Sequence, residues 1–222
     1  MGNFLCRIQI FRSIMKYLNI ALWLLFAFLA IGVGLYPLFY FFMDESQGLL
    51  SQKSPEILES TVWNMAFRLH IFPGGIALLT GWSQFSGKLR TARLSLHRTL
   101  GKIYITAVLI SGLAGLYIAF YATGGVVSQW GFGLLAVAWL TTTAMAFSKI
   151  KALDIDSHQQ WMIRSYALAF AAVTLRIYLP FMQAVMGMEF IDAYRIVAWI
   201  CWVPNLAVAE LLVRRQQLSF KI

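Results

Sequence analysis

His97 and His158 are the side chains in this sequence best suited to hold a metal. Only three histidines occur among its 222 residues, the third being His70. Histidine is the side chain whose charge ordinarily changes near neutral pH. His97 and His158 each stand in or just before the first turn of an apolar helix. The partial positive charge of a helix N-terminus disfavours imidazolium, and neutral imidazole is the form that ligates metal. Two such rings on parallel helices, at one depth, suit the axial positions of a single b-type haem or two positions of a smaller metal site. Arg98 and Arg164 carry charge suited to haem propionates. A plainer role competes with ligation: a histidine at a membrane interface also caps helices or meets headgroups.

His70 and Arg176 point to a different chemistry. Arginine stays ionised, so inside an apolar helix it needs a carboxylate, a phosphate or a set of carbonyls. The plainer role for Arg176 is a clamp on backbone carbonyls. Together the two residues suit a cavity for a small anion or lipid. Arg68, two residues from His70, does not share its helical face and is placed to snorkel to the interface. Glu210 is the only carboxylate inside an apolar stretch, so no paired acids mark a proton or sodium path. The phosphate-binding glycine loops, HExxH and GxSxG are absent.

These residues must be positioned by helices in lipid. Hydrophobic residues make up 60% of the chain and charged residues 12%, against about 45–50% and about 25% in soluble domains. Spans of about 20 apolar residues cross a bilayer. Six are read here, at 17–43, 62–85, 99–121, 126–148, 160–185 and 193–213, forming one transmembrane domain over 1–222. The predicted fold class is all-α, a polytopic membrane helix bundle. The first span is longer than a signal-peptide core and lacks a cleavage site, so it is read as a retained anchor. Ser54-Pro55 predicts a short interfacial helix leading into the second span. Asp156-Ser157-His158-Gln159 predicts a capping box opening the fifth. Ala107, Ser111, Gly115 and Ala119 form a stripe of small residues that lets another helix approach closely. Gly74-Gly75 and Gly124-Gly125 read as packing positions too. Pro73, Pro180 and Pro204 permit kinks.

The net charge of +9 reads as topology rather than as affinity for nucleic acid. The tail before span 1, the 86–98 and 149–159 connections and the C-terminal tail together hold twelve Lys and Arg; the alternating connections hold two, Lys53 and Arg195. Because positive residues stay inside, both termini are predicted to be cytoplasmic. Cys6 and Cys201 form no disulfide or metal motif.

The stretches RLHIFPGGIALLTGWSQF (68–85), LHRTLGKIY (96–104), ATGG (122–125) and HQQWMIRSYALAFAAVTLR (158–176) resemble a family of predicted bacterial multipass membrane proteins classed only as a domain of unknown function. The resemblance runs over about residues 65–180. It implies a place in a bacterial inner membrane and directs attention to His70, His97, Arg98, His158, Arg164 and Arg176, without implying an activity. Gln159 stands where the resemblance implies Arg. The chain is also loosely similar to transmembrane b-type cytochromes, which hold two haems with four histidines; three histidines allow at most one such haem.

Three functions follow from these readings. The first is a redox protein with one haem b on His97 and His158, exchanging electrons with quinone. The second is a non-enzymatic carrier or receptor for a small anion or lipid, built on His70 and Arg176. The third is an accessory or assembly protein that docks on another membrane protein through its small-residue faces.

Overall fold

The computed structural model describes residues 2–42 and 49–219, with side chains described over 15–42 and 49–215. Asp44, Glu45 and Lys221 lie outside the described residues, as do the side chains of Cys6, Arg7 and Arg12. The described chain is helical: α1 (Gly2–Leu35), α2 (Pro55–Leu58), α3 (Thr61–Gly81), α4 (Gly87–Ala92), α5 (Leu94–Ala119), α6 (Val126–Lys151), α7 (Ile155–Ala169), α8 (Ala171–Ala184), α9 (Phe190–Ile200) and α10 (Val203–Ser219). Short 3-10 turns extend α1 over Tyr36–Phe41 and α3 over Trp82–Phe85.

Five segments are long and apolar enough to cross a membrane: Met15–Phe41, Leu94–Ala119, Val126–Lys151, Ile155–Ala184 and Phe190–Arg215. They coincide with the sequence-read spans apart from the second. The remaining helix, α3, has 21 residues, about 31 Å of helix, but Asn64, Arg68 and His70 dilute its apolar character. It compensates by packing into the bundle against α1, α5 and α7.

Small residues set these contacts, as the stripe on α5 predicts. Ala107, Ser111, Gly115 and Ala119 are buried. A β-carbon on Gly115 would lie 2.7 Å from His70 Nδ1, and one on Gly74 3.0 Å from Ser111 Oγ. On the other side of α3, a β-carbon on Gly75 would lie 2.5 Å from the Gly34 carbonyl oxygen of α1. Gly124 and Gly125, at φ +93° and +72°, make the tight turn between α5 and α6, a conformation that favours glycine.

Below these contacts the core is fastened by hydroxyls. Tyr104 of α5 and Thr143 of α6 each hydrogen-bond the Ser165 hydroxyl of α7 at 2.7 Å. The Tyr166 hydroxyl donates to the Leu78 carbonyl of α3 at 3.0 Å. These buried hydroxyls thus find partners, as an apolar surrounding requires, whereas the buried Ser128 hydroxyl has none among the described residues.

Two local details differ from the sequence reading. The helix carrying His158 starts earlier, because Asp154 caps it by accepting from the Ser157 N–H at 3.1 Å. That bond holds the Asp154 carboxyl below its ordinary range, with the Ser157 hydroxyl as the larger cause. The capping box at Asp156 is therefore replaced by a cap two residues upstream. Ser54 precedes Pro55 as expected, but its side chain makes no cap bond to the four-residue α2.

Each of the last two apolar segments carries an irregular turn in an otherwise continuous helix, at Phe170 between α7 and α8 and at Cys201-Trp202 between α9 and α10. Pro204 accounts for the second turn, since it has no N–H to continue the ladder. Pro180 lies inside α8 without ending it. Polar side chains bridge the two turns: Thr174 Oγ1 donates to the Cys201 carbonyl, and Asn205 Nδ2 reaches that carbonyl at 2.9 Å and Thr174 Oγ1 at 3.2 Å.

Candidate functional site

A cavity of about 230 Å³ lies among α1, α3, α5, α6, α7, α8 and α9. The close approach at Gly74, Gly75 and Gly115 determines which side chains reach it. His70 comes from α3 and Arg176 from α8, and both line it. Arg68 is exposed and does not, which agrees with its different helical face.

The His70 ring is held by α5. Its Nδ1 lies 2.9 Å from the Ser111 carbonyl oxygen and 3.2 Å from Ser111 Oγ, and the Ser111 hydroxyl donates to the His70 carbonyl at 2.7 Å. A carbonyl only accepts, so Nδ1 carries a proton. Nε2 has no hydrogen-bond partner among the described residues and remains the ring's available nitrogen.

Arg176 donates through one guanidinium nitrogen to the Ala172 carbonyl at 3.0 Å. Its guanidinium carbon stands 4.4 Å from the centre of the Tyr36 ring. The three ion pairs among the described residues are Lys149–Asp154, Arg164–Glu210 and Arg195–Asp192; none involves Arg176. The carbonyl clamp is thus present, but it uses one nitrogen of a five-donor group. Arg176 and His70 lie within electrostatic reach of each other.

A second basic side chain besides Arg176, Lys53, also lines the cavity. Lys53 donates to the Tyr121 carbonyl and lies 5.9 Å from the centre of the Trp63 ring. Thr123 Oγ1 donates to the Gln52 carbonyl at 3.3 Å, so the 49–53 segment is tied to the turn after α5. Burial lowers the Lys53 ammonium to about 8. No carboxylate lines the cavity among the described residues. Tyr40, Ser111, Thr123 and Tyr194 add hydroxyls, and much of the remaining wall is apolar, including Leu78, Leu135, Leu168 and Ala169.

The other candidate residues gather elsewhere. His97 and His158 come within electrostatic reach of each other, with Arg90 and Arg98 nearby. His158 Nδ1 is 2.8 Å from the Ala146 carbonyl oxygen, while His97 Nδ1 is buried without a partner. Neither residue lines the cavity. Arg98 is exposed. Arg164 is committed to Glu210 by two contacts, Nε–Oε1 at 2.5 Å and a second nitrogen to Oε2 at 2.9 Å, and stacks 4.6 Å from the Trp161 ring centre. Among the described residues no three His, Cys, Asp or Glu converge as a metal site would require. The orphaned His97 nitrogen suits an added ligand; of the two arginines assigned to propionates, Arg164 is already paired with Glu210 and Arg98 is exposed.

Sequence reasoning missed Lys53, Trp63 and the tyrosines around Arg176. The signal for Lys53 was its isolation in an otherwise acidic connection, but its fold-back onto Tyr121 is a tertiary contact.

Residues 67–213 match a family described as a predicted membrane protein (DUF2306). The chain belongs to this family. The DUF2306 match carries the resemblance beyond residue 180 to include α9 and most of α10. Within it lie His70, Ser111 and Arg176; Tyr36, Lys53 and Trp63 lie before it. No curated protein and no solved structure matches the chain. The DUF2306 assignment and the five apolar helices make this a multipass integral membrane protein.

Proposed function

We propose that the protein is a non-enzymatic carrier or receptor for a small anion, bound in the cavity between His70 and Arg176. The observation that carries this reading is an arginine and a histidine from different helices lining one cavity that no described carboxylate lines. An intramembrane arginine without a counterion is costly, and an anionic ligand would supply one. The irregular turns at Phe170 and Cys201-Trp202 stand beside the cavity, which Ala171 and Cys201 both line. Calorimetric titration of the purified protein with small anions tests the reading. One saturable site is expected, and none in an Arg176→Leu, His70→Ala double variant.

Lys53 gives this reading a pH dependence. Its ammonium, lowered to about 8, is charged below that pH and neutral above it. Anion affinity is therefore expected to step downward as pH rises through about 8. The step should disappear in Lys53→Met; a step of the same size in that variant would remove Lys53 from the site.

We further propose that α3 is the sixth crossing of a single domain in a bacterial inner membrane, with both termini cytoplasmic. The twelve-to-two distribution of Lys and Arg supports this arrangement. In a chain lacking Cys6 and Cys201, Gln52→Cys is expected to react with an impermeant maleimide added to intact cells, and Arg90→Cys is not. Labelling of position 90 alone would reverse the arrangement.

A haem b site on His97 and His158, exchanging electrons with quinone, is the second reading. The unpartnered His97 nitrogen favours it, and the Arg164–Glu210 pair weighs against it. A Soret band lost in either His→Ala variant would support it. Docking on another membrane protein draws support only from small-residue stripes, which the intramolecular contacts of α3 and α5 already occupy.

A further inference from the structure

Resting on the reading of the cavity as an anion site, we infer that its ligand is a short monocarboxylic acid, taken up as a carboxylate together with one proton. Three features narrow the ligand.

The first is size. A cavity of about 230 Å³ is many times the space that one water needs, so it admits an acid with the bulk of hexanoate or benzoate.

The second is the distribution of polarity. The cations are drawn from Lys53, His70 and Arg176, while Leu78, Leu135 and Leu168 form apolar wall. Chloride or phosphate would leave that wall without a partner, whereas a carboxylate with a hydrocarbon body satisfies both parts. The guanidinium has donors remaining after its bond to Ala172, and a planar fork matches a carboxylate.

The third is the state of the imidazole. The Ser111 carbonyl fixes the proton on Nδ1, so in the neutral ring Nε2 presents a lone pair. A lone pair facing a carboxylate repels it. The contact becomes favourable when one proton lies between Nε2 and a carboxylate oxygen. That proton comes from solvent, and no covalent bond other than N–H or O–H changes. Among the described residues, the other titratable or charged groups lining this space are Arg176, Tyr194, Tyr40, Lys53 and Cys201. None is a carboxylic acid able to supply the proton from within.

The test is calorimetric titration of the full chain in detergent at pH 7, with sodium hexanoate, benzoate, chloride and phosphate. Each is run in two buffers of different ionisation enthalpy, so that proton uptake is counted directly. Hexanoate and benzoate are expected to bind at least tenfold more tightly than chloride or phosphate, with about one proton taken up. Dodecanoate is expected to bind no better than hexanoate. His70→Gln should retain a folded, monodisperse protein, and its proton count should fall to near zero. Carboxylate binding without proton uptake in the parent protein overturns the inference, whatever the variant does. Tighter binding of chloride or phosphate also overturns it while leaving an anion site in place. Absence of binding by any of these anions removes both the inference and the reading beneath it.

Discussion

Replacing Arg176 with leucine is expected to weaken carboxylate binding by about a hundredfold while leaving the protein folded. Hydrogen bonds to a charged group contribute about 1.5–3 kcal/mol each, and about 3 kcal/mol corresponds to roughly a hundredfold in Kd. The variant loses the stacking on Tyr36 and the bond to the Ala172 carbonyl. It also removes the desolvation cost of a buried charge, which offsets that loss. Arg176→Lys keeps the charge but not the planar fork, so it should recover only part of the affinity. The comparison is made by calorimetry, with size-exclusion profiles of parent and variants as the check on folding. Unchanged affinity in Arg176→Leu would reduce the residue to a carbonyl clamp.

Gly75→Val is expected to destabilise the bundle most. The added β-carbon would lie 2.5 Å from the Gly34 carbonyl oxygen and 3.1 Å from Pro37 Cγ. A backbone oxygen cannot rotate away as a side chain can, so α1 must separate from α3. Overpacking of this kind costs about 1–3 kcal/mol. Unfolding in a mixed-detergent titration should shift by that amount. Because Pro37 and Tyr40 line the cavity, ligand affinity should fall with it. Gly32→Ala is the control on α1, the helix that Gly75 meets: nothing lies within 4 Å of its added β-carbon, and no shift is expected. Equal stability of Gly75→Val and the parent would show that α1 does not depend on this contact.

The parts of this architecture legible in the sequence are those governed by local pattern. Hydropathy located the long helices, and small residues at every fourth position marked the face of α5 that meets α3. The two-residue spacing of Arg68 and His70 separated an exposed arginine from a histidine in the cavity. What the sequence concealed depends on residues far apart in the chain. Arg164 and Glu210 were both recognisable as costly inside a helix, yet 46 positions separate them, and nothing local shows that each is the other's partner. Lys53 becomes part of the cavity only because its connection folds back onto Tyr121, 68 positions away. The turn at Phe170 has no proline to announce it. Asp154 displaced Asp156 as the helix cap because the preceding Leu153 adopts φ 61°, a turn that hydropathy does not encode.

The central claim is that the space between His70 and Arg176 holds a small carboxylate. It is tested most directly by anomalous diffraction from crystals of the full chain grown with 4-bromobenzoate, which carries its heavy atom on the end opposite the carboxylate. One bromine peak is expected inside the cavity, against the apolar wall near Leu168, with the carboxylate directed to Arg176. A peak beside His97 and His158 instead, or an empty cavity at saturating ligand, would contradict the account.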